Sequence, residues 1–136
     1  MSAPEPSQPS HEEAERWLRD ALNHLYDLGY LDNHPLAALL VVPEQATGKR
    51  GADLRKVLIS AIQARKPPRG TPVQSPDWRG YQILEQHIIS GLSPAEVMQK
   101  LNISRSLFFL EKARILKALF DDLWTHRPVP AVEPAE

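Results

Sequence analysis

The chain contains no cysteine and no long apolar run. Without cysteine, its 136 residues cannot form disulfides, a catalytic thiol or a cysteine-based zinc site. No apolar stretch approaches the roughly 20 residues that a membrane-spanning helix needs. The opening segment, MSAPEPSQPSHEEAE, also lacks the basic and apolar regions of a secretory signal. We therefore expect a cytoplasmic protein with no membrane association.

The sequence also lacks the residue spacings that enzyme sites require. Its histidines are scattered, and none pairs with another at metal-ligand spacing. The fragment ATGKRG contains a Gly-Lys pair but lacks the upstream glycine and preceding strand of a phosphate-binding loop. Glu12, Glu13 and Glu15 are interpreted as a solvated helix start. We predict no catalytic residue, no metal and no cofactor, and a chain that is not an enzyme.

Charge is distributed unevenly along the chain, although the net charge is only −1. Residues 1–44 carry a net charge of −6, and residues 45–70 carry a net charge of +6. Residues 104–118 carry a net charge of +3. A basic middle segment near a basic helix suits a polyanionic partner. A solvated linker with ordinary surface charge explains the middle segment equally well.

Proline-rich segments mark the boundaries between the predicted parts of the chain. Residues 1–9 and 125–136 are rich in proline and small or polar residues, and we predict two disordered tails. The segment KPPRGTPVQSPD cannot sustain a helix, so residues 67–77 are predicted to link two helical parts. The N-terminal part is residues 10–66, and the C-terminal part is residues 78–124.

The N-terminal part is predicted to contain three helices. Ser10, with Glu13 three residues later, has the signature of a capping box, and the apolar periodicity behind it is helical until Gly29. Pro35 suits the first turn of a short helix that runs through LAALLVV to Pro43. The third helix is ADLRKVLISAIQARK. No stretch alternates as a strand would, so the predicted fold class is all-α.

The C-terminal part has sharper helix boundaries. Ser75-Pro76-Asp77 is a helix start, and that helix stops at Gly91. Ser93-Pro94-Ala95-Glu96 predicts a capping box for a short second helix. Asn102 tolerates the left-handed conformation of a tight turn, after which Ser104 caps a long final helix. These signals predict a helix-turn-helix unit with a long final helix.

The segment ILEQHIISGLSPAEVMQKLNISRSLFFLEKARILKAL resembles a known family. It is similar to the helix-turn-helix of sigma-factor region four and of response-regulator output domains, over residues 78–124. It also resembles a module found in some bacterial regulatory proteins beside other regulatory domains, and the first half, with NHLYDLGYLDNHPLAALL, resembles a companion of that module. The resemblance implies a bacterial transcription regulator that places its last helix in the major groove of double-stranded DNA.

The resemblance also implies which side chains meet DNA. Arg105 is the best candidate for a base contact, because arginine binds guanine through two hydrogen bonds. The outward positions of the last helix are Ser104, Arg105, Ser106, Phe109 and Leu110, with Lys112 further along. The expected phosphate contacts are Ser93, Lys100 and Arg114.

Apolar residues are predicted to lock the helices of this unit together. Those expected between the last two helices are Val97, Leu101, Ile103 and Phe108, with Leu84 and Ile88 from the supporting helix. Two of the positions expected to face the core depart from the family's pattern. Met98 stands where a small residue usually permits close crossing, and Glu111 stands where an apolar residue is expected. A slightly rotated helix would turn Leu107 or Leu110 inward in place of Glu111.

The apolar pair Phe109 and Leu110 leaves a second function open. Sigma factors carry polar base-reading residues at these positions, so the pair can instead mark a protein contact. The alternative is an adaptor that binds RNA polymerase or a partner regulator. The apolar face of the last helix continues through residues 115–124. It predicts either a core shared with the first half, which we favour, or the seam of a homodimer.

Overall fold

The computed structural model describes residues 9–42, 44 and 46–128. Most of the two predicted disordered tails lies outside these residues, although the final helix includes Thr125. All regular secondary structure assigned in the described part of the chain is helical, and no strand is assigned there. The all-α prediction is confirmed.

Seven α-helices follow one another along the described residues. They are α1 (His11–Asn23), α2 (Leu28–Asp32), α3 (Leu36–Leu40), α4 (Arg50–Gln63), α5 (Pro76–Ile83), α6 (Pro94–Leu101) and α7 (Arg105–Thr125). A π-helical segment, Leu84–Ile89, continues α5, and the Ser90 N–H donates to the Glu85 carbonyl at 2.9 Å. No helix occupies residues 64–75, so α4 ends three residues before Lys66, where the third helix was predicted to end.

The N-terminal part contains four helices where three were predicted. The first helix ends at Asn23, so the prediction that it reaches Gly29 is wrong. The reason is Asp27, whose side chain accepts the Tyr30 N–H at 3.1 Å and starts a new helix that contains Gly29. The short helix α3 also ends early, at Leu40, because Val41 is extended.

A close approach between α2 and α4 requires glycine at position 51. The Gly51 N–H donates to Asp32 Oδ1 at 2.7 Å. A Cβ atom on Gly51 would lie 2.6 Å from the backbone oxygen of Leu28, a distance that real Cβ atoms do not tolerate. Backbone therefore packs directly against backbone here, and α4 is held against the second helix.

One hydrophobic core joins the N-terminal and C-terminal parts. Leu18, Leu58 and Ile62 of the N-terminal part pack in one cluster with Leu119 and Phe120 of α7. The other large apolar residues of 115–124 lie in or against the same cluster: Ile115, Leu116, Leu123 and Trp124. The extended apolar face of α7 is thus buried within the chain, as favoured above.

None of the helices in the described part of the chain is both long enough and apolar enough to cross a bilayer.

Candidate nucleic-acid interface

Helix α6 begins in the predicted capping box. Ser93 Oγ accepts the Glu96 N–H at 3.1 Å, and Glu96 Oε1 accepts the Ser93 N–H at 2.9 Å. Pro94 occupies the first helical turn, where its missing N–H costs nothing. The same hydrogen bonds hold the pKa of the exposed Glu96 carboxyl below its ordinary value. The start of α6 is therefore satisfied by its own residues.

The turn between α6 and α7 is built by Asn102 and Ser104. Asn102 has φ 56° and ψ 52°, the left-handed conformation predicted for it. The Ile103 N–H then donates to the Met98 carbonyl at 3.0 Å, closing the end of α6. Ser104 caps α7 by accepting the Leu107 N–H at 3.1 Å. These contacts fix the angle at which the long helix leaves the short one.

A second, smaller core stabilises these helices. Ile83, Val97 and Phe108 are fully buried in it. Leu92, Met98, Leu101 and Ile103 pack partly buried against them. Met98 is accommodated against this cluster, because its flexible side chain adapts to the space between the helices.

The supporting residues predicted for this second core are the wrong ones. Leu84 and Ile88 belong to the main core, and Ile83 faces Val97 and Phe108 instead. Adjacent positions of a helix point in different directions, so Ile83 and Leu84 serve one core each. The apolar pair Ile83-Leu84 was a sequence signal that the helix is covered on two sides.

The first turn of α7 is exposed. Ser104, Arg105 and Ser106 all lie at the surface. Phe109 is 41% exposed and Leu110 is 54% exposed. The Arg105 guanidinium carbon lies 5.0 Å from the centroid of the Phe109 ring, within range of a cation–π contact. Five of the predicted DNA-facing residues therefore lie on the exposed surface at the start of α7.

Lys112 lies apart from that surface. Its side chain enters a groove between α1 and α7, where Nζ is 3.2 Å from His87 Nε2. Partial burial and the nearby charge of Arg19 lower the pKa of Lys112 from its ordinary value. The resemblance grouped Lys112 with the outward positions, but α1 covers this flank of α7.

The predicted phosphate contacts differ in their availability. Lys100 and Arg114 have exposed side chains, the latter 63% exposed. Ser93 is exposed, but its N–H already donates to Glu96. The Glu96 carboxylate occupies the position at the helix start that an anion would otherwise take. Lys100 and Arg114 therefore remain the stronger candidates for phosphate.

Glu111 stays inside the fold, so the expected rotation of α7 does not occur. It is only 5% exposed, whereas Leu110 points to solvent. One oxygen, Glu111 Oε2, lies 3.5 Å from Arg79 Nη1 and 3.6 Å from Arg114 Nη1. Two arginines thus neutralise a carboxylate at an otherwise apolar position, which allows its burial.

Part of the basic middle segment lies beside α7. Arg65 and Lys66, at the end of α4, line a cleft of about 480 Å³ together with Arg114. Asp77 and Glu111 line the same cleft. The charge run at 45–70 predicted basic residues, but only the fold shows which of them meet the final helix.

Three histidines, His24, His34 and His87, form hydrogen bonds within the fold. His34 is buried, accepts the Leu36 N–H at Nδ1 and lies 2.9 Å from Asp20 Oδ2 through Nε2. Nδ1 of His24 lies 2.9 Å from the Asp20 carbonyl, and Nδ1 of His87 lies 2.7 Å from the Leu92 carbonyl. Within the described ranges, no three metal-ligating side chains come together.

Comparisons of the chain with models of known protein families, with curated proteins and with solved structures give no match.

Proposed function

We propose that this chain binds double-stranded DNA and regulates bacterial transcription, with the first turn of α7 in the major groove. The observation that carries the proposal is the exposure of Ser104, Arg105 and Ser106 at the start of α7. The left-handed Asn102 precedes these residues, and the smaller core of Ile83, Val97 and Phe108 packs beneath them. A major groove admits an α-helix.

The chemistry of the exposed turn supports base reading. Arginine can form two hydrogen bonds with the edge of a guanine, and serine hydroxyls can bond either to bases or to phosphate. Phe109 holds the Arg105 guanidinium from one side and can itself contact a thymine methyl. Lys100 and Arg114 supply exposed positive charge for contacts with the phosphate backbone of the DNA.

Fluorescence anisotropy with a labelled duplex tests this proposal. We expect the full chain to bind at low salt, and Arg105→Ala to weaken binding by roughly tenfold or more. Arg16→Ala is the matched control, because Arg16 is an exposed arginine on α1 in the N-terminal part. Absence of duplex binding at low salt, or equal binding by both variants, contradicts the proposal.

A specific observation favours a second candidate, a protein adaptor. Phe109 and Leu110 are adjacent large apolar residues, and both are well exposed. Exposed apolar neighbours of this kind often mark protein contacts. An adaptor would bind RNA polymerase or a partner regulator through this pair. Loss of such binding in Leu110→Ser, with DNA affinity intact, would favour the adaptor.

A further inference from the structure

A groove between α1 and α7 combines an apolar lining with positive charge. Its volume is about 280 Å³. Leu22, Ile88, Phe109 and Leu116 supply apolar walls, and Arg19 and Lys112 supply charge. Both helices that form it are anchored in the main core, so the groove is held open by the fold.

The two cations of the groove are not equally neutralised. Arg19 Nη2 lies 3.3 Å from Glu15 Oε2, an ion pair within α1. Lys112 forms no salt bridge with any carboxylate of the described residues. Its only hydrogen-bond partner there is the His87 ring. The groove therefore carries one uncompensated positive charge, and that charge is Lys112.

His87 holds the Lys112 ammonium in place. His87 Nδ1 lies 2.7 Å from the Leu92 carbonyl, so Nδ1 carries the proton and donates. Nε2 is then a lone-pair acceptor, 3.2 Å from Lys112 Nζ. One of the three ammonium protons is used in this bond, and the remaining donors are free for a ligand.

Burial of this ammonium has a cost that a ligand would offset. A partly desolvated cation without a counter-charge is unfavourable, and the lowered pKa of Lys112 reflects that burial. An anion held against Nζ would restore the lost solvation. Apolar walls around it would at the same time receive an apolar body.

We infer that this groove binds a small organic anion, an apolar molecule that carries a carboxylate or sulfonate group. Lys112 Nζ pairs with the anionic group, and Leu22, Ile88 and Leu116 contact the apolar body. A second hollow of about 430 Å³ shares Leu22, Asn23 and Ile88 with the groove, which leaves room for an extended body. The combined size is that of a small-molecule site.

This inference does not depend on DNA binding, since the groove lies beside the exposed turn rather than in it. Phe109 nevertheless belongs to both, because it lines the groove and stacks on Arg105. A ligand in the groove would contact the flank of the helix that carries the exposed turn.

A pair of fluorescent probes that differ in charge tests the site. The anionic probe is 8-anilino-1-naphthalenesulfonate, and its neutral partner is N-phenyl-1-naphthylamine, which has the same ring system. We expect saturable binding of the anionic probe to the full chain. Lys112→Met is expected to weaken that binding about tenfold, with little effect on the neutral probe.

Two further variants keep the test decisive. Lys117→Met removes an exposed lysine that pairs with Asp121 on the same helix, so it should leave both probes unaffected. Ala113→Phe fills the groove without removing charge and should weaken both probes. Far-UV circular dichroism and thermal melting establish that each variant folds.

Three results would overturn the inference. They are equal binding of the anionic probe by folded Lys112→Met and the unmodified chain, an equal loss in Lys117→Met, and no effect of Ala113→Phe on either probe. The first would show that Lys112 does not hold the anion. The second would show a general charge effect, and the third would place the probe elsewhere on the surface.

Discussion

The guanidinium carbon of Arg105 lies 5.0 Å from the centroid of the Phe109 ring, one helical turn further along α7. An exposed arginine is normally mobile, and ordering it on binding costs side-chain entropy. Stacking on an aromatic ring restricts the side chain before it meets a partner. Phe109, whose position first suggested a protein contact, can therefore serve DNA binding through Arg105.

Replacing Phe109 tests that relationship. Phe109→Leu removes the ring while keeping an apolar side chain, and we expect duplex affinity to fall about two- to fivefold, the worth of an exposed cation–π contact. Phe109→Tyr keeps the ring and should bind as the unmodified chain does. Anisotropy titrations at fixed salt measure both, and equal affinities for all three proteins would contradict the role given to the ring.

The left-handed residue of the turn predicts a small, conformation-specific stability effect. Asn102→Ala should lower the free energy of unfolding by about 1 kcal/mol, because alanine resists positive φ. Asn102→Gly should change it by less than about 0.5 kcal/mol, since glycine accepts that conformation. Urea unfolding followed by circular dichroism measures both. A larger loss for glycine than for alanine would rule out this explanation.

The close approach at Gly51 predicts a contrast between two glycines. Gly51→Ala forces a Cβ atom against the backbone of Leu28 and should destabilise the protein by about 1–3 kcal/mol. Gly29→Ala is the control, because a Cβ there meets only Asp27 Oδ1 at 3.7 Å within a helix. It should be stabilising by about 0.5–1 kcal/mol. Similar melting temperatures for the two variants would contradict the packing of α2 on α4.

The buried carboxylate of Glu111 predicts a loss of stability when it is removed. Glu111→Ala leaves Arg79 and Arg114 without their shared partner and should cost about 1–3 kcal/mol. Both arginine side chains are partly exposed, so water can solvate them when Glu111 is removed. This solvation keeps the loss of folding free energy within that range. Glu111→Gln keeps the volume and removes the charge. If urea unfolding gives the same stability for all three proteins, the ion pairs do not stabilise the fold.

Anion binding in the groove predicts a rise in the pKa of Lys112. Burial and the charge of Arg19 lower the pKa of Lys112, and a negative group beside Nζ favours the charged ammonium. Titration of the lysine side-chain carbon signal by nuclear magnetic resonance should show a higher pKa with the anionic probe. The neutral probe should leave it unchanged or lower it further. A pKa that both probes raise would contradict direct pairing.

Local chemistry predicted the elements whose ends are decided by neighbouring residues. The caps at Ser75, Ser93 and Ser104 and the left-handed turn at Asn102 each depend on residues within four positions of one another, so the sequence shows them directly. The outward positions in the first turns of α7 were expected from the family resemblance, not from these local signals.

Which individual side chains of distant segments contact one another could not be predicted. Lys112 turns into a groove because α1 packs beside α7, and Glu111 is buried because Arg79, 32 residues away, reaches it. The division of the apolar pair Ile83-Leu84 between two cores is likewise a property of the assembled fold. Asp27 is a residue type that caps helices, but the helical periodicity that continues past it indicated a single longer helix.

Selection of duplexes from a random library tests whether Arg105 reads a base. The unmodified chain and Arg105→Ala are each used to enrich bound duplexes, which are then sequenced. We expect an enriched motif that contains a guanine whose preference disappears in Arg105→Ala, while preferences at other positions persist. Enrichment of no motif, or of the same motif by both proteins, would contradict base reading by α7.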